Sequence, residues 1–358
     1  MREQRVRRVL AALAEQGLSQ MLITDPMSVF YLTDYAVQPF ERFFGLLLRS
    51  GGDHALFLNR LFPPPADSGV TEVWYADTDP VTDIIARYTD PAAPLGVDKE
   101  LPARFLLPLM ERKAAAGFVN GSPAVDRTRG IKDAGEQEKM RRASAINDAA
   151  MAKFRGLVHA GVTEREIGDQ MLRIYLDLGA DGFSFPPLVA FGANAADPHH
   201  EPDDTALKEG DCVLFDVGCV KDGYCSDMTR TFYYKTVSDH CREIYETVRA
   251  ANEAAEALIR PGVPLRGLDA AARDLITAKG YGPAFNHRLG HFIGLGEHEY
   301  GDVSAASSWT AEPGMIFSIE PGIYLPGDTG VRIEDLVLVT EDGVELLNRY
   351  PHELDVIE

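Results

Sequence analysis

The chain has 358 residues, of which 45% are hydrophobic, so it is long enough for two domains with substantial cores. Its formal net charge of −20 argues against non-specific binding to nucleic acid or anionic membrane, both of which need a basic surface. The four cysteines, Cys212, Cys219, Cys225 and Cys241, fall in no CxxC spacing and read as reduced thiols in a cytoplasmic protein.

The N-terminal stretch MREQRVRRVLAALAEQGLSQ lacks the apolar run of a signal peptide and predicts an amphipathic helix from Arg2 to Gln16, stopped at Gly17. No stretch approaches 18 uninterrupted apolar residues, so no membrane span is expected. Then come strand QMLIT, a short helix near Met27–Leu32, strands FFGLLLR and HALFLNR, strand VTEVWYA, helix TDIIARY, strand LGVD and the long helix PARFLLPLMERKAAAG. Helices alternating with apolar strands predict a mixed sheet covered by helices. Neither GxGxxG nor GxxxxGK[ST] is present, so a nucleotide site has no support.

Phe118 to Lys132 contains Asn-Gly-Ser-Pro and a further glycine, and reads as the linker. We place the domains at 1–125 and 126–358. Asp133 with Glu136, and Thr163 with Glu166, have the spacing of capping boxes that open the next two helices. Strand-type segments FPPLVAFG, CVLFDVG and YCSDMTRTFYY follow, then helices from Ser238 to about Arg260 and from Pro264 to Gly280.

The chemistry concentrates in two hairpins. In DCVLFDVGCVKDGYCSDMTRTF the Asp222-Gly223 pair signals a tight turn. Asp216 and Asp227 are symmetric about the midpoint between Lys221 and Asp222, which predicts that they face each other across the ladder. Opposed like charges are destabilising, so such a pair calls for a cation; the plain alternative is two solvated acids. In MIFSIEPGIYLPGDTGVRIEDLVLVT, Glu320 and Glu334 are likewise symmetric about Gly327. Between the hairpins lies His291, in HRLGHFIGLGEHE. The order helix, strand, carboxylate hairpin thus occurs twice, which predicts two similar halves meeting at these residues.

Four carboxylates and one imidazole suit two divalent cations, which can share and activate a water or hydroxide for attack on a carbonyl. Hard oxygen donors with one nitrogen favour Mn²⁺, with Co²⁺ or Zn²⁺ as alternatives. Glu320 is the candidate to accept the proton of that water. His298, across a glycine-rich turn from His291, and His199, on the loop FGANAADPHHEP, are candidates for proton transfer or for bonding an oxyanion, against the plainer reading of structural histidines. Arg332 shares a strand face with Glu334 and is either its charge partner or a contact for a substrate carboxylate. No GxSxG elbow and no HExxH helix is present, and no cysteine is placed as a nucleophile.

NAADPHHEP, LFDVGCVKDGYCSDMTRTF, HRLGHFIGLGEHE, FSIEPGIY and GVRIEDLVLVT resemble, in order and spacing, the metallopeptidases with the pita-bread fold. Within them the Xaa-Pro dipeptidases (prolidases) and Xaa-Pro aminopeptidases are most similar. The resemblance runs from about Asp133 to the end, and LITDPMSVFYLTDY looks like their creatinase-type N-terminal domain. It implies an α/β chain with a creatinase-like mixed-sheet domain followed by a pseudo-two-fold pita-bread catalytic domain. The implied reaction is hydrolysis of the bond before proline at a dinuclear centre. Asp216 would bind one metal bidentately, Asp227 would bridge, His291 would bind the second, and Glu320 and Glu334 would complete the pair. His199 and His298 match the proton-transfer and oxyanion-stabilising histidines, and His287 and Arg332 match positions lining the substrate pocket. The family also implies a homodimer acting on small peptides.

A dipeptidase differs from an aminopeptidase in having the far end of its cleft blocked. We expect the block from a partner subunit's N-terminal domain, with Arg42 a candidate to pair with a dipeptide's C-terminal carboxylate, against the plainer reading of a surface charge. Methionine aminopeptidases usually lack an N-terminal domain of this size. Creatinases and the non-enzymatic binding proteins of this fold lack the ligands, and all five are present here. Phe292 stands where many members have glycine, and either narrows the subsite before proline or packs away from it.

Overall fold

The computed structural model describes residues 1–66 and 68–358. The chain forms two compact units, Met1–Arg129 and Gly130–Glu358.

In the first unit the helix Glu3–Glu15 buries Val6, Val9 and Leu13, the three- and four-residue spacing of one helical face. Gly17, with φ of 72°, ends it in the left-handed conformation that glycine adopts without a Cβ penalty. The sheet has six strands in the order Thr71–Tyr75, Ala55–Asn59, Gly45–Arg49, Gln20–Ile23, Leu95–Val97 and Phe118–Asn120. The pairings on either side of Gly45–Arg49 are antiparallel and the other three parallel, so the sheet is mixed.

The stretch read as a linker is structured. Phe118–Asn120 pairs in parallel with Leu95–Val97, and a helix spans Ser122–Gly130. Asn120 accepts the backbone N–H of Ser122 at 3.0 Å, and Ala124 and Val125 are buried. The Asn-Gly-Ser-Pro signal therefore marks a helix start, where Pro fits because its missing N–H is an orphan there anyway. The expected long helix after Pro102 covers only Ala103–Glu111, since Lys113 turns the chain at φ of 51°.

In the second unit both capping boxes form, Asp133 with Glu136 and Thr163 with Glu166. Two helices, a strand and a long hairpin then occur twice in the same order. The first set is Ala134–Arg155, Glu164–Asp177, Leu188–Phe191 and the pair Cys212–Val217/Met228–Tyr234. The second is Asp239–Glu256, Leu265–Ala278, Gly290–Phe292 and the pair Ile316–Ile319/Asp335–Val339. Residues of the second helix pair, among them Ile244, Val248, Leu268 and Ile276, share one core with Leu214, Phe317 and Val337 from both hairpins. No helix among the described residues is long and apolar enough to cross a membrane.

The two registers decide where the carboxylates stand. In the second hairpin Ile319 opposes Asp335 and Gly322 opposes Arg332, which sets Glu320 opposite Glu334 and Gly327 in the turn, as the symmetry about Gly327 predicts. In the first hairpin Asp216 opposes Thr229, not Asp227. The turn is centred between Asp222 and Gly223, one residue later than expected, because those two residues carry the positive φ values, 52° and 79°, of a two-residue type I′ turn. Asp227 therefore lies diagonal to Asp216. The displacement is two residues along the strand, so both still share one face.

Candidate metal centre

Both ladders break where the carboxylates are needed. The first is interrupted between Val217 and Cys219 and between Cys225 and Met228, which leaves Asp227 outside a strand. The second is interrupted at Glu320 and at Glu334. Backbone groups freed by the breaks bond across to other elements: Glu320 N–H donates to Leu289 O at 2.8 Å, and Glu334 N–H to Thr229 O at 3.1 Å. These bonds tie the second hairpin to the first hairpin and to the segment leading into His291, although the residues are far apart in sequence.

His291, on the short strand Gly290–Phe292, enters from the other side. Its Nε2 is 3.5 Å from Asp227 Oδ2 and 3.6 Å from Glu320 Oε1. Its Nδ1 faces the carbonyl of Phe292 at 3.2 Å, so in the neutral ring Nδ1 carries the proton and the Nε2 lone pair points at carboxylates. Burial lowers the pKa of His291, which favours that neutral ring. Asp216 Oδ2 accepts from Arg332 at 2.5 Å, Glu334 Oε2 from Thr229 at 2.7 Å, and Glu320 Oε1 from Ser318 at 3.2 Å.

The other oxygens of three of these groups, Asp216 Oδ1, Asp227 Oδ1 and Glu334 Oε1, are buried with no hydrogen-bond partner among the described residues. Asp227, His291 and Glu334 each offer a ligand atom within 4.8 Å of the others. Burial, and then neighbouring carboxylates, push Asp227 and Glu334 well above the usual carboxylate range. Burial pushes Glu320 up to about 7. Buried acceptors without partners are costly as they stand, and divalent cations bound among these carboxylates and the imidazole would satisfy them. The residues therefore fit the metal that their chemistry suggests.

Arg332 is buried and donates three bonds: Nη2 to Asp216, Nη1 to Tyr324 Oη at 2.8 Å and Nε to Thr229 Oγ1 at 3.0 Å. Burial opposes its charge, but Tyr324 and the surrounding carboxylates hold it firmly charged. Tyr324 Oη in turn meets His287 Nε2 at 3.0 Å, while His287 Nδ1 faces the carbonyl of Arg288 at 2.7 Å. Burial pushes His287 down to about 4.

These groups line a cavity of ≈ 1270 Å³ with an apolar wall of Phe183, Phe185, Pro186, Pro187 and Leu188. His199 and His298 both line it. The His298 ring centroid is 4.1 Å from that of His291, and lost solvation, followed by the neighbouring His291, Arg288 and His199, pushes its pKa down to about 4.

Of the ten residues singled out from the sequence, nine line this cavity and Arg42 does not. Arg42 lies in the first unit, where Asp77 grips its fork at 2.9 and 3.0 Å and Glu41 sits at 3.0 Å. Phe292 packs away from the cavity, fully buried, with its centroid 5.1 Å from Trp309 and 5.5 Å from Phe317. Sequence reasoning missed Thr229 and Tyr324, which bond Arg332, and Arg288 and Glu297, which line the cavity. Thr229 becomes visible once the register opposite Asp216 is right. Tyr324 has no local signal, because its partners come from Arg332 on the neighbouring strand and from His287 on another segment.

Residues 138–341 match the family Metallopeptidase family M24, and residues 5–131 match the Creatinase/Prolidase N-terminal domain. An uncharacterized peptidase of Staphylococcus aureus (strain MSSA476) is 38% identical over 357 residues, covering 97% of this chain and 99% of the relative. The crystal structure of dipeptidase PepE from Mycobacterium ulcerans superposes with a TM-score of 0.93 at 34% identity, over 99% of this chain and 97% of that one. An Xaa-Pro dipeptidase from Bacillus anthracis is similar over the whole of both chains, with a TM-score of 0.90 at 30% identity.

Proposed function

Because the chain belongs to metallopeptidase family M24, with a creatinase-type domain ahead of a pita-bread catalytic domain, we propose that it hydrolyses the peptide bond before proline in Xaa-Pro dipeptides. The observation that carries this reading is the convergence of Asp216, Asp227, His291, Glu320 and Glu334, with three orphaned carboxylate oxygens, at the base of a peptide-sized cavity. We assign these five side chains to two divalent cations, Mn²⁺ on the strength of the hard oxygen donors. Bound there, the cations supply Lewis acidity to the scissile carbonyl and lower the pKa of water.

The remaining work falls to the protein. Glu320, at the base of the cavity beside the assigned cations, takes the proton of the attacking water. His298 and His199 flank the reacting carbonyl from the cavity wall, one bonding the developing oxyanion and the other delivering a proton to the proline nitrogen. Arg332, bonded to Asp216, Tyr324 and Thr229, holds Asp216 and Tyr324 in place, and His287 is fixed by Tyr324 at the wall. An Xaa-Pro amide has no N–H, so recognition falls on the ring and on the two termini, and the apolar wall from Phe183 to Leu188 suits the ring.

The test is hydrolysis of Ala-Pro and Ala-Pro-Ala side by side with Mn²⁺ and then with EDTA. Metal-dependent cleavage confined to the dipeptide supports a prolidase in which a partner subunit closes the cleft. Preference for the tripeptide makes the enzyme an Xaa-Pro aminopeptidase. The end-blocking role given to Arg42 requires a substrate carboxylate to displace Asp77, and it falls if Arg42→Ala leaves the dipeptide-to-tripeptide rate ratio unchanged.

A further inference from the structure

Outside the metal centre, one carboxylate is as fully buried as any in the chain and takes no part in the chemistry above. Glu164 is the first residue of the helix Glu164–Asp177 and has 0% exposure. Its Oε1 accepts the backbone N–H of Phe191 at 2.7 Å and the side-chain amide of Asn194 at 3.0 Å. Its Oε2 accepts from His200 Nε2 at 2.6 Å and from the backbone N–H of Asp203 at 3.1 Å. Four donors thus reach one carboxylate, from both ends of the segment between strand Leu188–Phe191 and Asp203. Glu164, His200 and Asp203 also have ligand atoms close enough for a cation, but both oxygens of Glu164 are occupied by donors, so the cluster is a clasp.

The segment that this clasp closes carries His199 into the cavity. Among the described residues, His199 itself is held only through its backbone N–H, which donates to Asp197 Oδ1 at 3.0 Å. His200, the adjacent residue, is the one anchored. The same segment meets the other half of the site: a Cβ on Gly330, two residues before Arg332 on its strand, would stand 1.7 Å from Ala195 O.

We propose that Glu164 is a positioning residue for His199, acting through His200 by fixing the path of the segment from 191 to 203. The proposal rests on the role given above to His199. Its physical content is that a neutral amide cannot replace the carboxylate. Glutamine offers acceptors on one side and donors on the other, so one pair of the four N–H donors would face N–H. Freed from Oε2, His200 and Asp203 no longer fix the path of the segment, and a displacement of about 1 Å at a catalytic group costs on the order of a hundredfold in rate.

The experiment is a double-mutant cycle on Ala-Pro hydrolysis at saturating Mn²⁺, with wild type, Glu164→Gln, His199→Ala and the double variant. Bound manganese and melting temperature are measured on each. The expected result is that Glu164→Gln lowers kcat/KM by at least about tenfold with its manganese retained, yet costs less than about twofold in the His199→Ala background, since coupled residues are non-additive. Additive losses, or loss of manganese in Glu164→Gln, overturn the proposal and make Glu164 a general structural residue. If His199→Ala is silent, the role of His199 falls and the positioning proposal with it; if His199→Ala is damaging but additive, only the proposal falls. Should Glu164→Gln not accumulate as folded protein, His200→Ala breaks the same bond from the loop side and enters the cycle in its place.

Discussion

Replacing Arg332 separates what holds the empty site together from what holds it when loaded. The guanidinium is 3% exposed and reaches Asp216, Tyr324 and Thr229 with three different nitrogens. Arg332→Met removes the only positive charge bonded to Asp216 among the described residues, and breaking one side of a buried ion pair costs about 3–5 kcal/mol. Arg332→Lys keeps the charge but presents a single ammonium, so it replaces one or at most two of the three bonds, at a cost of about 2–4 kcal/mol. The carboxylates that Arg332 balances are also those assigned to the cations, so added Mn²⁺ should supply the missing counter-charge. We expect urea unfolding of the chelated protein to show both losses, Met the larger, and saturating Mn²⁺ to recover at least about half of each. kcat/KM on Ala-Pro should nonetheless stay down by about a hundredfold or more, because Asp216 and Tyr324 lose their orientation. The reasoning is refuted if chelated Arg332→Met is within about 1 kcal/mol of wild type, or if Mn²⁺ does not reduce its deficit.

Three further outcomes follow from the same geometry. Glu320 is raised from 4.5 to about 7 by burial, so the metal-free fold is more stable with it protonated and loses that stability as the pH rises through about 7. Mn²⁺ must displace this proton, so titration calorimetry in buffers of different ionisation enthalpy should find more protons released at pH 6 than at pH 8.5; equal release at both refutes the assignment. Phe292→Ala should destabilise the protein by about 3–5 kcal/mol in denaturant titrations yet leave the relative rates on Gly-Pro, Ala-Pro and Leu-Pro unchanged, since the ring packs on Trp309 and Phe317 away from the cavity. A Cβ on Gly290 would stand 1.9 Å from Ser318 O, so Gly290→Ala should push His291 off its strand and abolish stoichiometric Mn²⁺ binding; a variant that binds metal normally contradicts the packing.

Much of the site is legible in the sequence because it is written in local periodicities. Glu320 and Glu334 are symmetric about Gly327, and a hairpin with a glycine-containing turn there opposes them with no further information. The symmetry of Asp216 and Asp227 lies one residue off the true centre of the turn. The shared face survived the error because strand side chains alternate with period two, and the true register differs by two residues along one strand. Both capping boxes were readable for the same reason, since each is settled within four residues.

Only the tertiary structure decided what depends on elements meeting across long separations. The bonds from Arg332 to Asp216 and Thr229 join strands more than 100 residues apart, and Tyr324 owes its place to His287 and Arg332. The direction of Phe292 was undecidable from its neighbours, because either face of a short strand next to a ligand can be the buried one until Trp309 and Phe317 are in place. The strand and helix found at 118–130 were hidden because a polar Asn-Gly-Ser-Pro run serves equally as a loop or as a helix start. The choice rests on whether Phe118–Asn120 finds a sheet edge to pair with. Local patterns set which side chains share a face. Which faces meet, and so which carboxylates end up sharing a cation, is settled by the packing of two hairpins against one core.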